Sequence, residues 1–286
     1  MRGLGGKMDE KRQLELKRTA NNIRLGIIEG VYNAACGHPG GSLSIADILT
    51  YLYFEEMRID PEQPDWEDRD RFVLSKGHTA PALYATLAER GFFPMEEMKT
   101  LRKTDSRLQG HPDMKILPGV DMSTGSLGLG FSAACGMALA GKVKGKDYRV
   151  YTVVGDGESE EGQVWEAAMF AAHYKLDNLV CIIDLNGLQI DGPITEVMNP
   201  TPHDKKLEAF GWEVISIDGH DFDEIEAAFR RAREVKGKPT AIIAHTVKGK
   251  GVSYMENACE WHGQAPKEDL YRVAISDLST IGESLK

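Results

Sequence analysis

Two side chains distant in sequence carry the residue types that hold a hard cation. Asp156 lies in the Gly-Asp-Gly turn that ends the β-branched run VYTVV (150–154). Asn186 lies in the turn that ends a second apolar run, LVCIID (179–184). A polar, then alanine-rich, helical stretch joins them, so the unit reads as strand–helix–strand with a carboxylate and a carboxamide at the two strand ends. In a parallel sheet both ends share the rim where ligands of open α/β folds bind. Mg²⁺ and Ca²⁺ take oxygen ligands, and Mg²⁺ commonly uses one or two carboxylates with phosphates and water. Asp156 and Asn186 offer that minimal set for a metal diphosphate.

Histidines supply a second signal. His38 (GHPGG), His78 (LSKGH), His111 (QGHP) and His262 (WHG) all lie in turns flanked by Gly or Pro. One such histidine is an ordinary loop residue; four together suit proton shuttling near neutral pH. The GHPGG turn is expected to feed a helix capped by Ser42 or Ser44, with Asp47 in its first turn. A glycine turn at a helix N-terminus also suits close approach of an anion. Ser75, Lys76 and His78 follow a strand over 71–74, where the ammonium and the imidazole could face a phosphate. The loop DMSTGSLGLG opens a small-residue helix onto which another helix or chain is expected to pack. It lacks both the preceding strand and the GxGxxG spacing of a dinucleotide loop. Glu158, Glu160 and Glu161 read as solvated charges in the first turns of the central helix, and His173 at its end as structural. Lys248 sits in the basic, Gly-rich turn TVKGKG after the last strand.

The elements that must position these residues alternate. A helix is expected over 9–29, strands over 213–218 and 240–247, and helices over 204–212 and 223–235. That pattern predicts an α/β fold, a parallel sheet with helices on both faces. A chain of 286 residues could form one large domain or two ordinary ones. With no linker or repeat visible, residues 11–286 are assigned to one domain behind a flexible leader, 1–10. The hydrophobic share of 42% and charged share of 27% are those of a globular protein. The net charge of −10 argues against nucleic acid or an anionic membrane as main partner. A diphosphate ligand then needs local cations: a metal, Lys76, Lys248 and the histidines. The four cysteines have no metal or disulfide spacing and read as buried, reduced thiols. No secretory signal or membrane span is visible, so a cytoplasmic location is expected.

The turn containing Asp156, followed at a distance by Asn186, resembles the thiamine diphosphate fingerprint. With GHPGG, LSKGH, GHP followed by GSLGLG, and the late WHG, residues 12–266 resemble the N-terminal half of a transketolase. One departure is Leu185 before and Gly187 after Asn186, where the family often shows two adjacent polar residues. The resemblance implies the diphosphate-binding domain of the thiamine diphosphate fold, with Asp156, Asn186 and the Leu188 carbonyl ligating Mg²⁺ or Ca²⁺. It implies diphosphate contacts from Gly157 and His78, cofactor-lining backbone at Gly125, Ser126 and Leu127, and a cofactor-loop or structural role for Lys248. His38, His111 and His262, the last also beside the cofactor, would face the reacting sugar. The activity implied is transfer of a two-carbon ketol unit from a ketose phosphate to an aldose phosphate. The carboxylate that activates the cofactor and the pyrimidine slot belong to the family's second half. The expectation is therefore a split enzyme, completed by a C-terminal transketolase subunit in a heterotetramer; a fragment of a longer chain is the alternative. Rival readings are another thiamine diphosphate enzyme, such as a deoxyxylulose-phosphate synthase-like or specialised sugar transketolase, and a non-catalytic subunit that kept the fold.

Overall fold

A computed structural model describes residues 8–286. Residues 1–7 of the expected leader lie outside the described residues. Helix α1 (Glu10–Ala34) buries Leu16, Ala20, Ile23, Ile27 and Val31, a stripe at three- and four-residue spacing. It runs past the expected end at 29 because that stripe continues, and it stops at Ala35, whose φ of 52° is left-handed. Met8, just before it, packs against the core.

The chain continues through α2 (Pro39–Ser44) and α3 (Ala46–Tyr51), the latter extended by a π-helical turn, Leu52–Glu56. Strand β1 (Arg71–Leu74), α4 (Ala80–Arg90) and α5 (Leu129–Val143) follow. Then come β2 (Val150–Gly155), α6 (Gly162–His173) and β3 (Leu179–Leu185). A short hairpin, β4 (Leu188–Gln189) with β5 (Gly192–Pro193), leads through α7 (Ile194–Val197) to α8 (His203–Phe210). The last elements are β6 (Glu213–Asp218), α9 (Phe222–Glu234), β7 (Thr240–His245) and α10 (Glu268–Ser284).

Five strands form one parallel sheet in the order β1-β2-β3-β7-β6. Alternate residues of its strands feed two cores, as expected of strands covered on both faces. Tyr151, Val153, Val180, Ile182 and Ile242 meet the α1, α3, α4 and α9 side. Val150, Val154, Leu179, Cys181 and Ile243 meet α5, α6 and α8. Gly155 pairs with Asp184, and Asp184 with Ala244, so β2, β3 and β7 finish at a common rim.

Two local expectations are corrected. Neither Ser42 nor Ser44 caps a helix: α2 already starts at Pro39, whose fixed φ suits a first helical position. Ser42 Oγ instead donates to the His38 carbonyl, and Ser44 Oγ to Asp184. Of the cysteines, Cys135 and Cys181 are buried free thiols, but Cys36 and Cys259 are only partly buried.

Asp47 is buried against Arg24, 2.5 Å away, and His220, 2.7 Å away. Burial alone would raise its pKa, but Arg24 and His220 bring it down to about 2. A carboxylate held below its unfolded value of 3.8 stabilises the fold above that pH and loses the contribution as pH falls toward 2. Asp47→Asn should cost about 3 kcal/mol at pH 7. Urea denaturation of both proteins across pH should show that difference shrinking between 3.8 and about 2.

Candidate active site

A cavity of about 260 Å³ opens at the carboxyl rim of the sheet. Four strand ends contribute to it: Lys76 and His78 after β1, Asp156 and Gly157 after β2, Asn186 and Leu188 after β3, and Lys248 after β7. His38 and His262 reach it from the GHPGG and WHG turns. The rings of His38, His78 and His262 form a triangle with centroids 5.1 to 5.4 Å apart. Gly125 and Leu127 also line the cavity. Ser126 lies between them without lining it, and His111 stands just behind, where a Cβ on Gly125 would come 3.2 Å from its ring. Gly77 lets the LSKGH turn lie against this loop, since a Cβ there would meet Thr124 Oγ1 at 2.6 Å.

Asp156 is buried, with Oδ1 accepting from Gly157 N–H at 2.8 Å and Oδ2 from Gly187 N–H at 2.6 Å. Asn186 donates its amide to Asp184, 2.9 Å away, which turns its Oδ1 toward the Leu188 amide at 3.1 Å. The Leu188 carbonyl accepts from Lys248 Nζ at 3.0 Å. Carboxylate, carboxamide oxygen and carbonyl form a hard-oxygen donor set that fits Mg²⁺ or Ca²⁺. Burial and the neighbouring Asp184 push the Asp156 carboxyl up to about 6.

A cation lies beside this donor set, on the Leu188 carbonyl. Lys248 is buried, and burial and Lys76 lower its pKa. It donates to His262 Nδ1 at 3.1 Å, which leaves the ring proton on Nε2. Burial, with Lys248, His38 and Lys76, takes His262 down to about 3. Burial and Arg102 take His38 down to about 4. His78 and His111 are lowered as well, burial being the largest cause in each. These imidazoles are neutral at pH 7, and the buried Nδ1 of His38 has no hydrogen-bond partner among the described residues.

Several residues sit differently from expectation. Lys76 is not a free cation facing a phosphate: it is buried in a 2.5 Å pair with Asp184 and also donates to the Gly41 carbonyl. Glu158 is not a solvated helix charge. It lies in a 3₁₀ turn before α6, buried, and accepts from Ser75 Oγ (2.6 Å), Gly128 N–H (2.8 Å) and Gly155 N–H (2.9 Å). It thereby joins the LSKGH, GSLGLG and GDG segments. His173 is exposed at the end of α6, edge-on to Tyr174. Sequence reasoning missed Glu158 and Asp184. The available signal was an aspartate ending an otherwise apolar, doubly covered strand, and a glutamate two places after the aspartate of GDG.

Rim geometry, the oxygen donor set and the neutral imidazole triangle define a parallel α/β domain with a polar cleft at the carboxyl rim of its sheet. Residues 16–278 match the family described as transketolase, thiamine diphosphate binding domain. The chain belongs to the transketolase family. It is 47% identical over 272 residues to the 6-deoxy-6-sulfo-D-fructose transketolase subunit SqwG of Clostridium sp. (strain MSTE9), covering 95% of this chain and 99% of that one. It is 45% identical over 273 residues to an apulose-4-phosphate transketolase subunit of Phocaeicola vulgatus, covering 96% of each. Against the crystal structure of Campylobacter jejuni transketolase the TM-score is 0.87 at 33% identity, covering 96% of this chain and 46% of that one. The Pichia stipitis transketolase complex with sedoheptulose 7-phosphate gives 0.88 at 30%, covering 95% and 43%. The chain thus spans about half the length of these solved transketolases.

Two outcomes follow from the geometry. Glu158→Ala strands two buried amide donors and should cost about 2–4 kcal/mol in chemical denaturation; a cost near zero would contradict the bridging role. NMR titration of the imidazoles should show His38 protonating only near 4 and His262 near 3. The unfolded chain takes up protons on these rings below 6.5 that the folded chain refuses, so they withdraw stability as pH falls below that value.

Proposed function

We propose that this chain is the metal- and diphosphate-binding subunit of a two-chain transketolase that moves a ketol unit from a ketose phosphate to an aldose phosphate. One observation carries the reading. The chain matches proteins named as transketolase subunits over 99% and 96% of their length, yet covers only 46% and 43% of the solved transketolases.

In this reading Asp156, Asn186 Oδ1 and the Leu188 carbonyl hold Mg²⁺ or Ca²⁺. His78, Gly157 and Lys248 face the diphosphate, and Gly125 and Leu127 lie along the cofactor, with Ser126 linking them outside the cavity lining. Thiamine diphosphate, when bound, supplies the carbon nucleophile and the electron sink for breaking the carbon–carbon bond. This chain's residues then orient the sugar and manage its protons. His262 offers an Nε2–H to the substrate carbonyl oxygen, while Lys248 holds its other nitrogen. His38 and His111, neutral at pH 7, accept the hydroxyl proton released as the bond breaks and return it to the product. Each such contact to a developing oxyanion is worth about 3 kcal/mol.

The partner is a C-terminal transketolase subunit bearing the pyrimidine slot and the activating carboxylate, in a heterotetramer. Ile190, which lines the cleft at 66% exposure, offers apolar surface for it. A specialised sugar substrate is the second reading, favoured by the names of the two subunit relatives.

The test is reconstitution. The purified chain with thiamine diphosphate and Mg²⁺ should show no ketol transfer, and adding the candidate C-terminal partner should restore turnover. A panel of xylulose 5-phosphate, apulose 4-phosphate and 6-deoxy-6-sulfofructose then sorts the two readings. Full turnover by the chain alone would refute the split site.

A further inference from the structure

Outside the cleft, the turn between β6 and α9 carries a histidine whose two ring nitrogens are both engaged. His220 Nδ1 lies 2.7 Å from Asp47 Oδ2, and Nε2 lies 2.9 Å from the backbone nitrogen of Val247. A backbone N–H can only donate, so Nε2 accepts and the ring proton sits on Nδ1, donated to Asp47. Asp47, on α3, is fixed from the other side by Arg24 of α1. The imidazole therefore transmits the position of two helices to one amide.

That amide immediately precedes Lys248, whose ammonium reaches both the Leu188 carbonyl and His262 Nδ1. Backbone bonds tie the neighbouring Thr246 to Leu185 at 3.2 Å and Gly249 to Gly40 at 2.9 Å. The Val247 N–H goes to a side chain instead, while its carbonyl accepts from Lys250 N–H at 3.2 Å and the Lys248 carbonyl from Asn257 N–H at 2.9 Å. In composition Asp47 and His220 look like a general-base pair, but the nitrogen that would take a substrate proton is occupied by the main chain. We infer that His220 is a positioning residue: by accepting the Val247 amide it sets the turn that delivers Lys248 to the Leu188 carbonyl and to His262. This rests on the cleft being the cofactor and sugar site.

Side-chain replacements separate the two bonds. Gln at this position places a carbonyl oxygen where Nε2 was and keeps the Val247 contact. Asn places an amide where Nδ1 was and keeps only the Asp47 contact. A cavity of about 160 Å³ lined by Asp47, His220 and Lys250 adjoins the ring, so added imidazole can enter when the side chain is removed.

In the reconstituted enzyme, His220→Ala and His220→Asn should lower kcat/KM about tenfold, the usual scale for losing a residue that orients a ligand. His220→Gln should stay near wild type, and imidazole should restore His220→Ala. In the full chain by itself, the His262 ring resonances should move in His220→Ala and His220→Asn and hold in His220→Gln. Unmoved His262 resonances in a folded His220→Ala, or equal activity of the Gln and Asn variants, would overturn the inference. If the wild-type pair shows no ketol transfer, the reading of the cleft fails, while the His262 resonances still decide the positioning role.

Discussion

One buried ion pair holds the cleft together. Lys76, with a side chain 2% exposed, lies 2.5 Å from Asp184, which is fully buried. Neither charge is tolerable there alone, because removing one partner of a buried pair strands the other. Asp184 also accepts from Ser44 Oγ, Asn186 Nδ2 and Thr246 Oγ1. A single carboxylate thus ties α2 to the turns after β1, β3 and β7. Burial alone would raise its pKa, but Lys76 and these donors hold it low. The metal-ligand candidates and the histidine turns take their relative positions from this junction.

The same junction reconciles the chain's charge with its ligand. A net charge of −10 would repel a diphosphate. The cleft instead sets a buried carboxylate, Asp156, near a buried ammonium, Lys248, whose pKa is lowered. Beyond burial, Lys76, although paired with Asp184, still lowers the pKa of Lys248 and of His78. The imidazoles of His38 and His262, neutral at pH 7, line the same cleft.

Much of this was legible in the residues. β6 matches its expected range of 213–218, and the other strands are apolar runs that must be covered on both faces. Asp156 and Asn186 meet at one rim because parallel strands of similar length end together. Glu158 and Asp184 were harder to read. Their burial depends on partners distant in the chain, Ser75 and Gly128 in one case and Lys76 and Ser44 in the other. No local periodicity encodes such a contact. For the same reason Ser44 resembled a helix cap, although its hydroxyl is committed to Asp184.

The functional reading stands or falls on Asp156 and Asn186 converging on one cation that holds a diphosphate. Electron paramagnetic resonance with Mn²⁺ in place of Mg²⁺ probes that convergence, using wild type and Asp156→Ala, each with and without thiamine diphosphate. Wild type should take up one Mn²⁺ whose affinity rises with the cofactor, and Asp156→Ala should lose affinity by about tenfold or more. Equal Mn²⁺ binding by the two proteins, unchanged by thiamine diphosphate, would rule the shared cation out.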